Sequence, residues 1–101
     1  MGSIADWRAF PENSAYTASK FGVRGLHEVL LEELRGSGVR CTLVSPGPTD
    51  TTIWDPLDPD LRGDLPSRVE MLQPSDVADA ILYAVLAPRH VQVEVIRMGA
   101  C

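Results

Sequence analysis

A chain of 101 residues, 45% of them hydrophobic, suffices for one globular domain and little more. Its formal net charge of −5 argues against nucleic-acid binding and against an anionic membrane surface. No apolar run approaches the roughly 18 residues of a membrane span, the first residues lack the basic-then-apolar pattern of a leader, and Cys41 and Cys101 read as reduced thiols, so a cytoplasmic protein is expected.

Residues 4–13 read as a loop, with Pro11 and Asn13 as breakers. Ser14 is a good N-cap for a helix running to about Arg35, where Gly36-Ser37-Gly38 stops it. Phe21, Leu26, Val29, Leu30 and Leu34 recur in it at helical spacing. Gly22 and Gly25 each cost about 1 kcal/mol relative to Ala, but with Ala18 they let another backbone come close. His27 reads as a surface residue, with no Cys, Asp or second His at ligand spacing.

Val39–Ser45 reads as a strand that Pro46-Gly47-Pro48 ends. From there to Gln73 the pattern is loop-like, carrying Pro56, Pro59 and Pro66 besides Asp50, Asp55, Asp58, Asp60 and Asp64. A stretch of that length is a functional lid or disordered. The aspartates read as solvated turn residues, too scattered for a metal site or paired-carboxylate catalysis. Ser75 is read as the cap of a second helix with Asp76 and Asp79 in its first turn, an apolar face of Val77, Ala78, Ile81, Leu82, Val85 and Leu86, and Pro88 as its stop. His90–Arg97 then alternates as a strand, His90 being its polar start.

The chemistry concentrates in Tyr16-Thr17-Ala18-Ser19-Lys20, with Ser3 thirteen positions before the tyrosine. Positions i and i+4 share a helix face, so the phenol and the ammonium stand side by side, and the cation favours the phenolate, the form that takes up a proton. Ser3 adds a hydroxyl able to hold the same substrate oxygen. Taken alone, an i,i+4 Tyr/Lys pair is more often an ordinary surface pair, and a single serine a turn residue.

This Ser…Tyr-x-x-x-Lys arrangement resembles the short-chain dehydrogenase/reductase family. Gly2-Ser3-Ile4-Ala5 is similar to the end of that family's fifth strand, with its catalytic serine, and the segment from Ser14 to Val23 to the start of its catalytic helix. Val39 to Gly47 resembles the next strand with its Pro-Gly turn, and Pro74-Ser75-Asp76-Val77-Ala78 the opening of the last large helix. The likeness runs from about Ser3 to about Arg97.

The resemblance implies an α/β fold, a partial Rossmann-like doubly wound parallel sheet, with a catalytic helix over residues 14–36, a substrate loop over 46–74 and a C-terminal helix and strand over 75–97. The eight glycines are scattered, and neither the family's Gly-rich turn nor its Asn-Asn-Ala-Gly segment occurs. The expectation is the C-terminal half of a dehydrogenase, as a truncated product, a mis-started reading frame or a partial sequence, inactive by itself and marginally stable.

By the same resemblance the function is that of an NAD- or NADP-dependent oxidoreductase interconverting a small-molecule alcohol and a carbonyl by hydride transfer. Tyr16 is the implied acid/base, Ser3 the holder of the oxygen, and Lys20 the partner of both phenol and nicotinamide ribose. Pro46 and Gly47 would lie against the nicotinamide, and the Thr49 backbone and Thr51 hydroxyl would hold its carboxamide; Thr51 equally suits a local turn cap. Pro48 departs from the pattern and removes one backbone donor. Trp7 and Phe10 would line the substrate pocket or merely anchor their loop, and Ile53, Trp54, Leu57 and Leu61 would face substrate. The resemblance also implies a homo-oligomer through the catalytic helix. The competing reading is a non-enzymatic remnant that packs with a full-length partner.

Overall fold

Two strands and two helices carry the fold of the computed structural model, which describes residues 1–101. Helix α1 spans Ser14–Glu33, β1 Leu43–Pro46, α2 Pro74–Leu86 and β2 Val95–Met98. The strands are parallel, Leu43 lying opposite Val95 and Pro46 opposite Met98. Parallel neighbours need a crossover, and α2, which packs on β1, supplies it. Leu43, Val44 and Ser45 are all buried, so β1 is covered on both faces, as a parallel strand should be.

Both strands are shorter than their patterns suggest, because side chains take over the ladder. The Gln92 amide accepts the Cys41 N–H at 3.3 Å and donates to the Cys41 carbonyl at 2.6 Å. Thr42 Oγ1 donates to the Val93 carbonyl at 2.7 Å. Residues 39–42 and 91–94 thus run together, but backbone pairing begins only at Leu43, whose N–H reaches the Glu94 carbonyl at 3.0 Å.

Helix α1 begins at Ser14, yet Asn13 holds the cap position, and Ser14 is the first helical residue rather than the cap. The helix ends at Glu33, two residues before Arg35; Ser37 returns both its N–H and its hydroxyl to the Leu34 carbonyl, while Gly36 adopts φ 78°, a left-handed backbone that suits glycine. Two stripes run along α1. Phe21, Leu26 and Val29 are exposed with Ala18, Gly22 and Gly25 between them, whereas Val23, His27, Leu30, Leu31 and Leu34 turn inward. His27 is therefore not a surface residue: it is 4% exposed, between α1 and the lead-in to β2.

Helix α2 takes its cap from Gln73, not Ser75. Pro74 occupies the first turn, where its missing N–H costs nothing, and the Asp76 carboxylate accepts the Gln73 N–H at 2.7 Å. At the other end Pro88 follows the helix, and Arg40 donates to the carbonyls of Val85 in the last turn, Ala87 at the cap, and Pro88 and Val91 beyond it, at 2.8–3.3 Å. Of the apolar face only Val77 is buried, and Ile81, Leu82, Val85 and Leu86 are exposed. Only 12 of 101 residues are buried, so the core is small.

The segment between β1 and α2 is not structureless. It contains short 3-10 helices at Thr52–Leu57, Pro59–Leu61 and Arg68–Glu70. Its ends are tied where Leu72 N–H donates to the Pro48 carbonyl at 3.0 Å and Asp50 N–H to the Leu72 carbonyl at 2.8 Å. The aspartates are not all solvated turn residues. Arg68 bridges Asp50 and Asp55, each at 2.7 Å, and its own N–H donates to Asp60 at 2.7 Å; Arg62 pairs with Asp64. Hydrogen bonding to Asp50, with its charge and that of Asp55, holds the Arg68 guanidinium above its ordinary range.

Candidate active site

Gly2 and Ser3 run beside β1. The Leu43 and Gly47 N–H groups donate to the carbonyls of Glu94, just before β2, and of Met98 in it, so the alternating carbonyl of Val44 points to the opposite edge, and there it accepts the Gly2 N–H at 2.8 Å. The spatial order is Gly2-Ser3, β1, β2. A β-carbon on Gly2 would collide with the Asp6 carboxylate and stand 2.7 Å from Ser45 Oγ, so any larger residue there must displace those side chains. Ser3 is buried at the start of a short 3-10 helix, Ile4–Asp6, that packs on α1. Its Oγ accepts the Ala5 N–H at 3.2 Å. An accepting hydroxyl keeps its hydrogen, so Ser3 retains a donor for another oxygen.

Tyr16, 43% exposed, and the half-buried Lys20 continue toward the start of α1 the helix face that carries Val23 and His27, and the Lys20 ammonium is 5.6 Å from the centre of the Tyr16 ring. The direction of α1 sets their height. His27 bonds the Glu94 carbonyl just before β2, and Leu31 and Leu34 line one cavity with Arg40, Val91 and Gln92, so the end of α1 adjoins the beginnings of the strands. Eleven residues of helix from His27 back to Tyr16 cover about 16 Å, against roughly 13 Å from Glu94 to Met98 along β2. Tyr16 therefore stands near the level of the strands' C-terminal ends, where open α/β sheets bind ligands.

Pro46 and Gly47 occupy that end. Pro46 is the last residue of β1, and the buried Gly47 donates to the Met98 carbonyl at 2.7 Å. Thr49 Oγ1 donates to the Gly47 carbonyl at 3.0 Å, and the Thr49 carbonyl accepts the Trp54 indole N–H at 2.9 Å. Thr51 is exposed at the cap position of the Thr52–Leu57 helix with its side chain unbonded, and its carbonyl accepts from Arg68 at 3.1 Å. Lys20 Nζ and Thr51 Oγ1 enter no hydrogen bond or ion pair within the chain, and Ser3 Oγ bonds neither Tyr16 nor Lys20.

One flanking aromatic, Trp7, is tied to the sheet. Trp7 lies between Arg8 and Arg97 of β2, at 5.8 and 5.5 Å from its ring centre, which fastens the first loop to the sheet. Ile53 and Leu61 project from the second loop at 72% and 84% exposure. Two organising residues escaped the sequence reading. Asp6, fully buried, accepts the Ser3 N–H and the Ser45 hydroxyl; its position three after a capping serine was the available signal. Arg68 had none beyond its sign.

Residues 1–62 match the family model for short chain dehydrogenase. The chain belongs to the short-chain dehydrogenase family, and its parallel sheet and helices match part of that Rossmann-like fold. An uncharacterised oxidoreductase of Staphylococcus aureus strain USA300 is 34% identical over 93 residues, covering 92% of this chain and 37% of its own. Serine dehydrogenase from Escherichia coli is similar in structure, with TM-score 0.76 and 26% identity over 97% of this chain and 37% of that one. A closed serine dehydrogenase complexed with NADP+ shares the fold at TM-score 0.82 and 24% identity, covering 97% of this chain and 41% of that one. The chain thus spans little more than a third of the relatives it matches.

Proposed function

We propose that residues 1–101 furnish the proton-transfer site and the nicotinamide-ribose end of an NAD(P)-dependent alcohol/carbonyl oxidoreductase. The observation that carries this reading is the unpaired ammonium of Lys20 beside the Tyr16 ring, on the helix face level with the Pro46–Gly47 strand end. The donor set suits a ribose and a carboxamide: Lys20 Nζ and Thr51 Oγ1 are free, and Gly47 places no side chain at the strand end. It does not suit a pyrophosphate, for no Gly-rich turn opens either helix.

Bound at this end, the nicotinamide supplies or accepts the hydride. Tyr16 gives or takes the proton at the substrate oxygen, and the Lys20 ammonium beside its ring would hold the ribose hydroxyls. Ser3, its Oγ already accepting from Ala5, donates its hydrogen to the same oxygen. Tyr16, Lys20 and Ser3 are the catalytic set of this reading, and Pro46, Gly47, Thr49 and Thr51 join Tyr16 and Lys20 at the cofactor. The exposed stripe of Ala18, Phe21, Gly22, Gly25, Leu26 and Val29 supports self-association through α1.

The test is a chimera in which residues 1–101 replace the matching third of the Staphylococcus aureus relative, assayed for NAD(P)H-linked turnover across alcohols and carbonyls. Turnover that falls about 10²–10⁴-fold on Tyr16→Phe with folding intact is the expected result. Turnover indifferent to Tyr16→Phe would overturn the assignment. Nicotinamide mononucleotide titrated into the 101-residue chain should shift amide resonances at Lys20, Gly47 and Thr49 first.

A further inference from the structure

Both ring nitrogens of the buried His27 are engaged. Nε2 lies 2.9 Å from the carbonyl oxygen of Glu94, and Nδ1 lies 3.4 Å from Sγ of Cys41. A carbonyl oxygen can only accept, so Nε2 carries the ring hydrogen. The neutral imidazole then turns its lone pair at Nδ1 toward sulfur, and the Cys41 S–H is the donor that meets it. A thiol, a base and a group that orients the base stand in series, the arrangement that activates a nucleophile.

The sulfur is reachable. Cys41 is partly exposed and lines a cavity of about 350 Å³ whose walls include Leu34, Arg40, Arg89 and Gln92. The cavity is cationic on balance. Arg40 donates only to neutral carbonyls, Arg89 enters no ion pair, and Arg35 is neutralised by Glu32; Glu94 is the one acidic residue on the wall. None of these residues belongs to the Tyr16 site, which lies at the other end of α1.

We propose that Cys41 is a nucleophilic thiol site, activated by His27, that exchanges with small anionic disulfides. The S–H proton passes to Nδ1, and the thiolate attacks one sulfur of the disulfide. The Cys41–sulfur bond forms as the disulfide bond breaks, and the departing thiolate takes the proton back from the imidazolium. Cys41 is oxidised to a mixed disulfide, and half of the reagent is reduced to a thiol. Cys41, two residues before β1, thereby gains a bulky anionic group in the seam between α1 and the strand lead-ins.

Cys101, exposed and hydrogen-bonded to nothing, is the internal control. The experiment treats the 101-residue chain with oxidised glutathione and follows each cysteine by peptide mass spectrometry. Cys41 should react about tenfold or more faster than Cys101 despite its lower exposure, and the two rates should converge in denaturant. His27→Gln, checked for folding by circular dichroism, should bring Cys41 down to the rate of Cys101; should that variant unfold, the rate ratio in the folded parent decides alone. Cystamine, a cationic disulfide, should lose most of the preference for Cys41. A folded chain whose Cys41 reacts no faster than Cys101 overturns the proposal, and equal Cys41 preference for cystamine overturns its anionic selectivity.

Discussion

The Asp6 carboxylate accepts the backbone N–H of Ser3 at 3.1 Å. The same oxygen takes the Ser45 hydroxyl, so one buried carboxylate ties the candidate donor serine to the strand that ends in Pro46-Gly47. A carboxylate is an acceptor only, and here it has two donors, which fixes the position of Ser3 relative to β1 more firmly than one capping bond does.

Asp6→Ala leaves a backbone N–H and a hydroxyl unpaired in the interior and should cost about 3 kcal/mol. Asp6→Asn keeps an acceptor oxygen and should cost less than half of that. Urea unfolding followed by circular dichroism ranks the two. Equal stability of the parent and Asp6→Ala would contradict the buried tie.

Gly25 separates two explanations of the exposed stripe on α1. A β-carbon there meets nothing within 4 Å, so in an isolated chain Gly25→Ala should stabilise the helix by about 1 kcal/mol. If a second helix docks on the stripe, Gly25→Leu should block its approach and leave monomer. Light scattering on the parent and on Gly25→Leu, at matched helicity, reads the difference. A parent that is monomeric across the accessible concentrations removes self-association through α1.

What was legible in the sequence is what local spacing controls. Tyr16 and Lys20 are one helical turn apart, Pro46-Gly47 must end a strand, and Gly36-Ser37-Gly38 must release a helix. What was not legible depends on partners distant in the chain. Gln92 and Thr42 read as ordinary strand residues, yet their side chains replace the backbone ladder and delay pairing to Leu43. His27 has no ligand partner at local spacing and so reads as a surface residue, although Val23, Leu30, Leu31 and Leu34 flank it at helical spacing on the inward stripe. A polar residue inside an apolar stripe has a partner more often than it has water. The loop aspartates showed their charge but not the arginine 13–18 positions away that gathers two of them.

Arg40 is the clearest such long-range tie, its guanidinium reaching four carbonyls about the end of α2. Arg40→Met preserves much of the aliphatic packing but strips those carbonyls of their donor, and should lower stability by about 2 kcal/mol. Hydrogen exchange should quicken first at the last turn of α2 and at Val91, whose N–H donates to the Pro88 carbonyl at 2.9 Å. Uniform exchange acceleration across the chain would point to a global effect instead of a cap.

Acid should loosen the loop before it unfolds the chain. The Ser67 N–H and then its hydroxyl donate to Glu70 and hold its carboxyl below the usual range, and the Arg62 hydrogen bond does the same for Asp64. A carboxylate whose pKa is depressed by folding contributes stability above its ordinary pKa, about 4, and that contribution is lost as pH falls through the depressed value. Both groups are solvent-exposed, so the effect is local and small. As pH falls below about 4 the Ser67 amide, 2.9 Å from Glu70, should lose protection while Val77 in α2 keeps its own. Glu70→Gln should abolish the acid step at Ser67, because a neutral amide acceptor no longer titrates. Persistence of that step in Glu70→Gln would assign it to another carboxylate.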